Sequence, residues 1–366
     1  MNSRERVMRA LKRDGLPDRV PLQFDLCRSL LEEAGAKYGL PVEYSRSYYE
    51  DVTYRISANA LRTAMGSDCV VVGAGLPAGY EHPRTEDGCL VNEFGMVMRP
   101  GLLYYDVVGM PLSGATSADD VRRFAFPDPL AAGRFDNAER DIARFKQDYF
   151  VVGDLELTMF EMAWHMTGME KFMIDMSSGE EYIGVLLDRV LEFSVGVGKK
   201  LVELGVDGIW TGDDFGAQNG MLVSPRMWRR LFKPRMAELW QELKRANPVI
   251  LVMYHSDGAI APILNDLIEI GLEVFNPVQP NVPGHDPEAL KAQYGERLSF
   301  WGAIDQQQLL PFGAPAEIEA DVAEKIRVLG RDGGYMCSPA HIVQSDTSLA
   351  NVEAFIAAVR KHGAYC

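Results

Sequence analysis

Apolar residues along this chain gather in eight short runs, each closing on polar or small residues. The runs are VPLQFDL (20–26), CVVVGAG (69–75), YFVVGDLE (149–156), VDGIWTGDD (206–214), VILVMYHSD (249–257), LEVFNPVQP (272–280), LSFWGAID (298–305) and GYMCSPAH (334–341). Near-continuous apolar character implies burial on both faces, the condition of a strand in a parallel sheet. Helical patterns lie between them, among them residues 178–205 and 224–247. The second opens on Ser224 as N-cap with Pro225 at the first helical position. Strand–helix alternation repeated eight times predicts an α/β (β/α)8 TIM barrel, with residues 1–366 forming a single domain. An open doubly wound sheet would carry a Gly-rich phosphate turn after its first strand, and VPLQFDLCRSL has none. Residues 80–107 break the rhythm. They read as a hairpin with Asp87-Gly88 at its turn, inserted after the second strand as a lid, a substrate wall or a solvent-facing decoration.

Composition narrows the partners. The 366 residues carry a formal net charge of -15, with 47% hydrophobic and 24% charged residues. That is the profile of a globular protein with a sizeable core, and its field repels phosphate backbones, so nucleic acid is not an expected partner. The five cysteines (Cys27, Cys69, Cys89, Cys337, Cys366) are odd in number and form no CxxC pair. A disulfide framework is not expected, and a reducing, cytoplasmic location fits. The N-terminal MNSRERVMRALKRDG reads as a charged amphipathic helix with no apolar h-region, and no stretch approaches 18 apolar residues, so no membrane span is expected.

In a barrel the chemistry lies at the C-terminal ends of the strands. Polar residues at those ends here are Asp25, Asp154, Glu156, Asp213, Asp214, His255, Asp257, Asn276, Gln279, Asp305, Gln306, Cys337 and His341. Asp257 and Asp305 also read as helix caps. His255 and His341, with Asp257 and Cys337 near, form a candidate metal site whose imidazole, carboxylate and thiolate groups suit zinc. Asp213 and Asp214 are candidates for a general base or a substrate clamp. Adjacent residues on an extended segment point apart, so one of the two faces the site. The catalytic candidates are therefore His255, Asp213, Asp214 and His341. Asp25, Glu156, Tyr254, Asn276, Gln279, Trp301 and Asp305 are candidates for substrate binding, with the aromatic and Met-rich stretches lining an apolar pocket or simply packing the barrel. His165 reads as core or as support for the site, and His82, His285 and His362 as solvent-facing.

Several segments together resemble the uroporphyrinogen decarboxylase superfamily: SRERVMRALKRDGLPDRVPLQFD, MFEMAWHMTGMEKFMIDM, LGVDGIWTGDDFGAQNGMLVSPRMWRRLFKP, HSDGAIAPILNDLIEIGLEVFNPVQP, YGERLSFWGAIDQQQLLPFG and GGYMCSPAHIVQSDTSLANVEAFIAAV. The resemblance runs nearly end to end. Its cofactor-free decarboxylases carry an N-terminal arginine motif resembling RQAGRY, which grips substrate carboxylates, and an aspartate after the second strand for the pyrrole NH groups. This chain reads LQFDLCRSL and VVVGAGLPAG at those places, with Arg28 the only nearby cation. Ala340-His341-Ile342 lines up with that branch's Gly-His-Gly. The other branch holds zinc-dependent methyltransferases that work with corrinoid proteins. Their motif resembles His-x-Cys after the fifth strand plus a Cys after the eighth. Here stand His255-Ser256-Asp257 and either His341 or Cys337, a harder donor set. WTGDDFGAQNG and SPAH look like the members that demethylate methoxylated aromatics.

The resemblance thus implies methyl transfer from an O-methyl or N-methyl compound to the Co(I) corrinoid of a separate partner protein, since no DxHxxG corrinoid module is present. A zinc ion on His255 and His341, with Asp257 or Glu156, would act as Lewis acid. Homodimers are common among such relatives. The alternatives are a cofactor-free decarboxylase of a porphyrinogen or smaller acid, with His341 or Asp213 protonating the carbanion, and a binding protein that keeps the barrel without catalysis.

Overall fold

Seven of the eight runs form strands of one parallel sheet, which gives an α/β architecture. In chain order they are β1 (Cys69–Gly73), β2 (Phe150–Glu156), β3 (Gly208–Gly212), β4 (Leu251–His255), β5 (Val274–Val278), β6 (Ser299–Ile304) and β7 (Tyr335–Pro339). Each pairs with the next, so spatial order equals sequence order. The structure, a computed structural model, describes residues 1–50, 52–101 and 104–365. Among them no helix is long and apolar enough to cross a membrane.

The sheet is buried on both faces, which is why the runs lack polar alternation. Val70, Val72, Val151, Ile209, Val252, Phe275 and Phe300 belong to the large cluster between the sheet and the helices. Val71, Val152, Trp210, Met253, Val274, Trp301 and Met336 belong to a second cluster on the sheet's inner face. Val7 and Leu11 of the N-terminal helix Ser3–Lys12 join that inner cluster. This helix is amphipathic as its sequence predicts, with Asn2 and Glu5 closing a capping box.

The first run, 20–26, is not a ladder strand. It makes two isolated parallel bridges, Leu22 to Cys337 of β7 and Leu26 to Val343 beyond its end. Two local features break its ladder. Pro21 has no N–H to give, and the Leu22 N–H goes to the Asp68 carboxylate at 2.8 Å. Asp68, with its side chain 1% exposed, also accepts from Ser3, Arg6 and Arg19. One carboxylate therefore ties the N-terminal helix, the first run and the start of β1 together.

Two further expectations change. The antiparallel insertion is three-stranded, Leu90–Val91, Val97–Pro100 and Tyr105–Gly109. Its first ladder turn is held by Asn92, whose Oδ1 accepts the N–H groups of Phe94 and Met96. Asp87-Gly88 instead turns a single Arg84–Leu90 bridge before the ladder begins. Leu102 and Leu103, inside the expected hairpin, lie outside the described residues. The helical pattern 224–247 is two helices, Pro225–Leu231 and Lys233–Ala246. Pro234 near the start of the second cannot donate a backbone hydrogen bond across the break. Ser224 caps the first as expected, accepting from Met227 N–H at 3.2 Å.

Removing the Asp68 carboxylate would take from Arg19 its carboxylate partner and from Arg6 one of two, the other being Asp18. Asp68→Ala is expected to cost about 3–5 kcal/mol of stability, read as a lowered urea midpoint. An unchanged midpoint would mean the N-terminal segment is held by apolar packing alone.

Candidate active site

His255 closes β4, level with Gly212 on β3 and Asn276 on β5. Its Nδ1 lies 2.8 Å from Asn276 Oδ1, which also receives the Trp210 indole N–H at 3.1 Å. An indole N–H can only donate, so the amide oxygen of Asn276 faces it. An amide oxygen can only accept, so the neutral His255 ring carries its hydrogen on Nδ1. Nε2 is thereby turned, lone pair first, toward Asp214 Oδ1 and Asp257 Oδ1, each 3.7 Å away. His341, just past β7, places Nε2 3.7 Å from Asp257 Oδ2.

A lone pair facing two carboxylates is repulsive unless a cation lies between them. Burial works against a proton there. It holds both imidazoles below the ordinary histidine value, and it lifts Asp257 above the ordinary carboxylate range. Donor atoms of His255, Asp257 and His341 all lie within 4.8 Å of one another. Two neutral imidazoles and a carboxylate fit an ion of the zinc class, and the Asn276 contact is the kind that orients such a ligand.

The loops that bring these carboxylates together touch at their backbones. A Cβ on Gly216 would stand 2.4 Å from the Asp257 carbonyl oxygen, and one on Gly258, at φ +74°, 2.5 Å from the Ala217 nitrogen. Glycine at both places permits the approach. Asp257 N–H then donates to Asp214 Oδ1 at 2.7 Å, and Asp214 N–H to Glu161 Oε2 at 3.1 Å.

These groups border a cavity of about 470 Å³. Segment 47–56 supplies Tyr48, Tyr49, Glu50, Tyr54 and Arg55 to its wall, the insertion supplies Tyr104 and Tyr105, and the helix Phe160–Thr167 supplies Glu161 and His165. The Arg55 guanidinium stands 4.8 Å over the Trp210 ring. Tyr49 Oη and His165 Nδ1 are hydrogen-bonded at 2.7 Å. Burial raises Asp154 to about 6 and Glu50 to about 7, and lifts Glu161 well above the carboxylate range.

The structure brings Asp154, Asp214, His255, Asp257 and His341 to this cavity. Asp213 is elsewhere. It is fully buried and accepts the backbone N–H groups of Met159 and Glu161, pinning the start of the helix Phe160–Thr167. Tyr254 is buried against it and donates to the Asp213 carbonyl at 2.9 Å. Asp25 pairs with Arg62 and accepts from Gln23, and Trp301 donates to the same Gln23. Asp25, Asn276 and Trp301 line a small space that also touches His255 and His341. Gln279 and Asp305 line a separate recess of about 50 Å³ that also touches Asp257 and His341. Gln279 accepts from Gly258 N–H, while Asp305 caps Gln307 and Gln308. Asp257 does not act as a cap, since its oxygens face the two histidines. The Glu156 side chain lies outside the described residues.

Cys337 is not available to a metal at the mouth. It is fully buried in the cluster between sheet and helices, on the strand face opposite Met336. His285 and His82 are also corrected. Both are buried, His285 against Phe275 and the Ile260 N–H, and His82 near the Ser47 carbonyl. His362 is partly exposed and meets Glu319. Sequence reasoning missed the wall built by 47–56, because that segment has no periodic pattern; only the density of tyrosine and charge in SRSYYEDVTYR signals it.

A family model described as Uroporphyrinogen decarboxylase (URO-D) matches residues 116–362. The structure of a methyltransferase from Methanosarcina mazei superposes with TM-score 0.70 at 21% identity, covering 99% of each chain, which is a likeness of fold. A Xanthomonas albilineans dihydropteroate synthase with 4-aminobenzoic acid overlaps 43% of this chain and 56% of its own, at TM-score 0.31 and 19% identity. That overlap is too partial to bear on the site. No curated protein matches the chain.

Asn276→Leu removes the one acceptor shared by Trp210 and His255. Each buried donor left without a partner costs about 1–3 kcal/mol, so unfolding should move to lower denaturant. Imidazole 15N spectra should show the His255 hydrogen no longer held on Nδ1. Retention of the same tautomer would refute the role given to Asn276.

Proposed function

The chain belongs to the uroporphyrinogen decarboxylase (URO-D) family, and on that premise we propose that it is a methyltransferase. In this reading it moves a methyl group from a methoxylated or methylated small molecule to the Co(I) corrinoid of a partner protein. The observation that carries the reading is the convergence of His255, Asp257 and His341 at the wall of a tyrosine-lined cavity. The closed eight-membered barrel belongs to the same reading, with segment 20–26 as the member between β7 and β1.

Lining charge supports methyl transfer over porphyrin chemistry. Among the described lining residues five carboxyl side chains meet one guanidinium, Arg55. Arg28 is not among them; its guanidinium lies over Tyr44. Gly73 and Ala74 line the wall after β1, where a pyrrole-binding aspartate would stand. A substrate bearing many carboxylates would meet like charge on nearly every side.

Within that cavity His255, Asp257 and His341 are the residues that would hold a zinc ion, which would supply Lewis acidity to a substrate oxygen. Asn276 keeps the His255 ring in the right tautomer and orientation. Asp214 orients Asp257 by accepting its backbone N–H. The tyrosines line the cavity and would thin the water around a bound methyl donor, which strengthens charge interactions there.

His255→Ala should lower bound metal and methyl transfer by at least ~10–100-fold while the circular dichroism spectrum stays that of wild type. Metal analysis and cobalamin methylation on both proteins provide the test, and full activity in a metal-free preparation would sink the Lewis-acid role. Uroporphyrinogen should not be turned over at all. Coproporphyrinogen formation would reverse the choice between the two branches.

A further inference from the structure

The charge in the cavity is unevenly answered. A divalent ion at His255, Asp257 and His341 would answer Asp257 and the adjacent Asp214. Among the described lining residues, Glu50, Asp154 and Glu161 would then share the cavity with one guanidinium, that of Arg55. Placing three carboxyl groups on one low-dielectric surface is costly unless they are protonated or a cation joins them. Burial does raise all three toward the neutral acid, so this part of the wall is ready to ionise when positive charge arrives. The same wall is aromatic. Tyr48 and Tyr49 line it, and the Tyr49 hydroxyl is committed to His165. One face of that ring stacks on His165, with centroids 5.6 Å apart, so it is the other face and the edge that a ligand can meet. Tyrosine rings interleaved with carboxylates form the surface that a quaternary ammonium group prefers.

Resting on the methyl-transfer reading above, we propose that the methyl donor is a small quaternary methylammonium compound whose nitrogen lies among Tyr48, Tyr49, Glu50, Asp154 and Glu161. Charge favours this donor over an ether. An ether oxygen departs with negative charge, which these carboxyl groups oppose unless that oxygen lies on a metal ion at His255, Asp257 and His341. A quaternary nitrogen departs neutral. Its carbon–nitrogen bond breaks with the electron pair staying on nitrogen, and the methyl carbon gains its new bond from the electron pair of the partner corrinoid's Co(I). No proton is consumed in the step. The tertiary amine that remains leaves the step uncharged and takes up a proton afterwards, so the carboxyl groups act on selection of the donor.

The experiment is isothermal titration of the full chain with choline, its uncharged isostere 3,3-dimethylbutan-1-ol, and guaiacol as a methoxy probe. Choline should bind at least ~10-fold more tightly than the isostere. The double variant Glu50→Gln, Glu161→Gln should erase most of that preference. The amide at 161 still offers an oxygen to the Asp214 N–H, and circular dichroism checks the fold. Equal affinity for choline and the isostere overturns the proposal, as does a choline preference that the double variant leaves intact. Methylation of free Co(I) cobalamin, run alongside, separates the two levels of the argument. Charge-selective binding without methylation supports the ammonium site and counts against methyl transfer. Guaiacol demethylation without choline preference overturns the ammonium site and leaves methyl transfer standing.

Discussion

Parallel strands in one ladder must all release their chains at the same edge. That constraint decides where this protein can do chemistry. With seven strands paired in sequence order, residues near the ends of, or just past, β2, β3, β4 and β7 are brought to one place although they are up to 187 positions apart in the chain, from Asp154 to His341. The opposite edge receives the N-terminal helix and the Asp68 cluster of ion pairs. Stability devices therefore gather at one end and titratable groups at the other. At the first end Asp68 is met by two arginines; at the second Asp25 is met by Arg62, while five carboxyl groups share one guanidinium, Arg55, among the described residues lining the larger cavity. Compensation at the first end makes Asp68 structural. In the proposed reading, Glu50 and Glu161 are the groups of the larger cavity that a cationic ligand would meet.

The inner face of the sheet connects the two ends. Trp210 and Trp301 pack with ring centroids 4.5 Å apart in the middle of it. Each indole N–H leads to a polar group nearer the mouth, Trp210 to Asn276 and Trp301 to Gln23. Large apolar rings thus fill the core and, through their single donor, fix the direction of the polar groups above them. For His255 the consequence is chemical. A donor-only indole selects the amide orientation, the amide selects the tautomer, and the tautomer exposes the nitrogen that a metal needs.

Legibility from sequence followed period and length. The seven strands were legible because burial on two faces leaves a run of apolar residues with nothing to interrupt it. His255, Asp257 and His341 were legible because strand ends in such a fold share one mouth. Segment 20–26 has the same apolar character as the others, yet its ladder is broken by Pro21 and by a side chain, Asp68, remote in sequence. Cys337 was read as a possible ligand from its place on the last run. The alternation of the strand turns it to the helix side, and a shift of one residue decides which face a side chain takes. His82 and His285 stand in polar stretches but are buried by contacts that no local pattern encodes. The wall from 47–56 is the largest omission. Irregular backbone carries no period, so its tyrosines and Glu50 enter the site only through tertiary packing.

The donor set carries the last step. The two oxygens of Asp257 face different histidines, each at 3.7 Å. A thiolate at that position would offer one soft atom to one partner. A carboxylate offers two hard ones, and it can be neutralised by a proton when no metal is present, as its raised pKa reflects. The whole chain is acidic, but the total of -15 says little about this place. What matters is that, among the described lining residues, carboxyl groups outnumber guanidinium groups in one cavity, where partial burial strengthens each charge interaction. A cavity built this way repels polyanions before any specific contact is made. In the proposed function it would take instead a metal ion at the histidines and positive charge at the tyrosines.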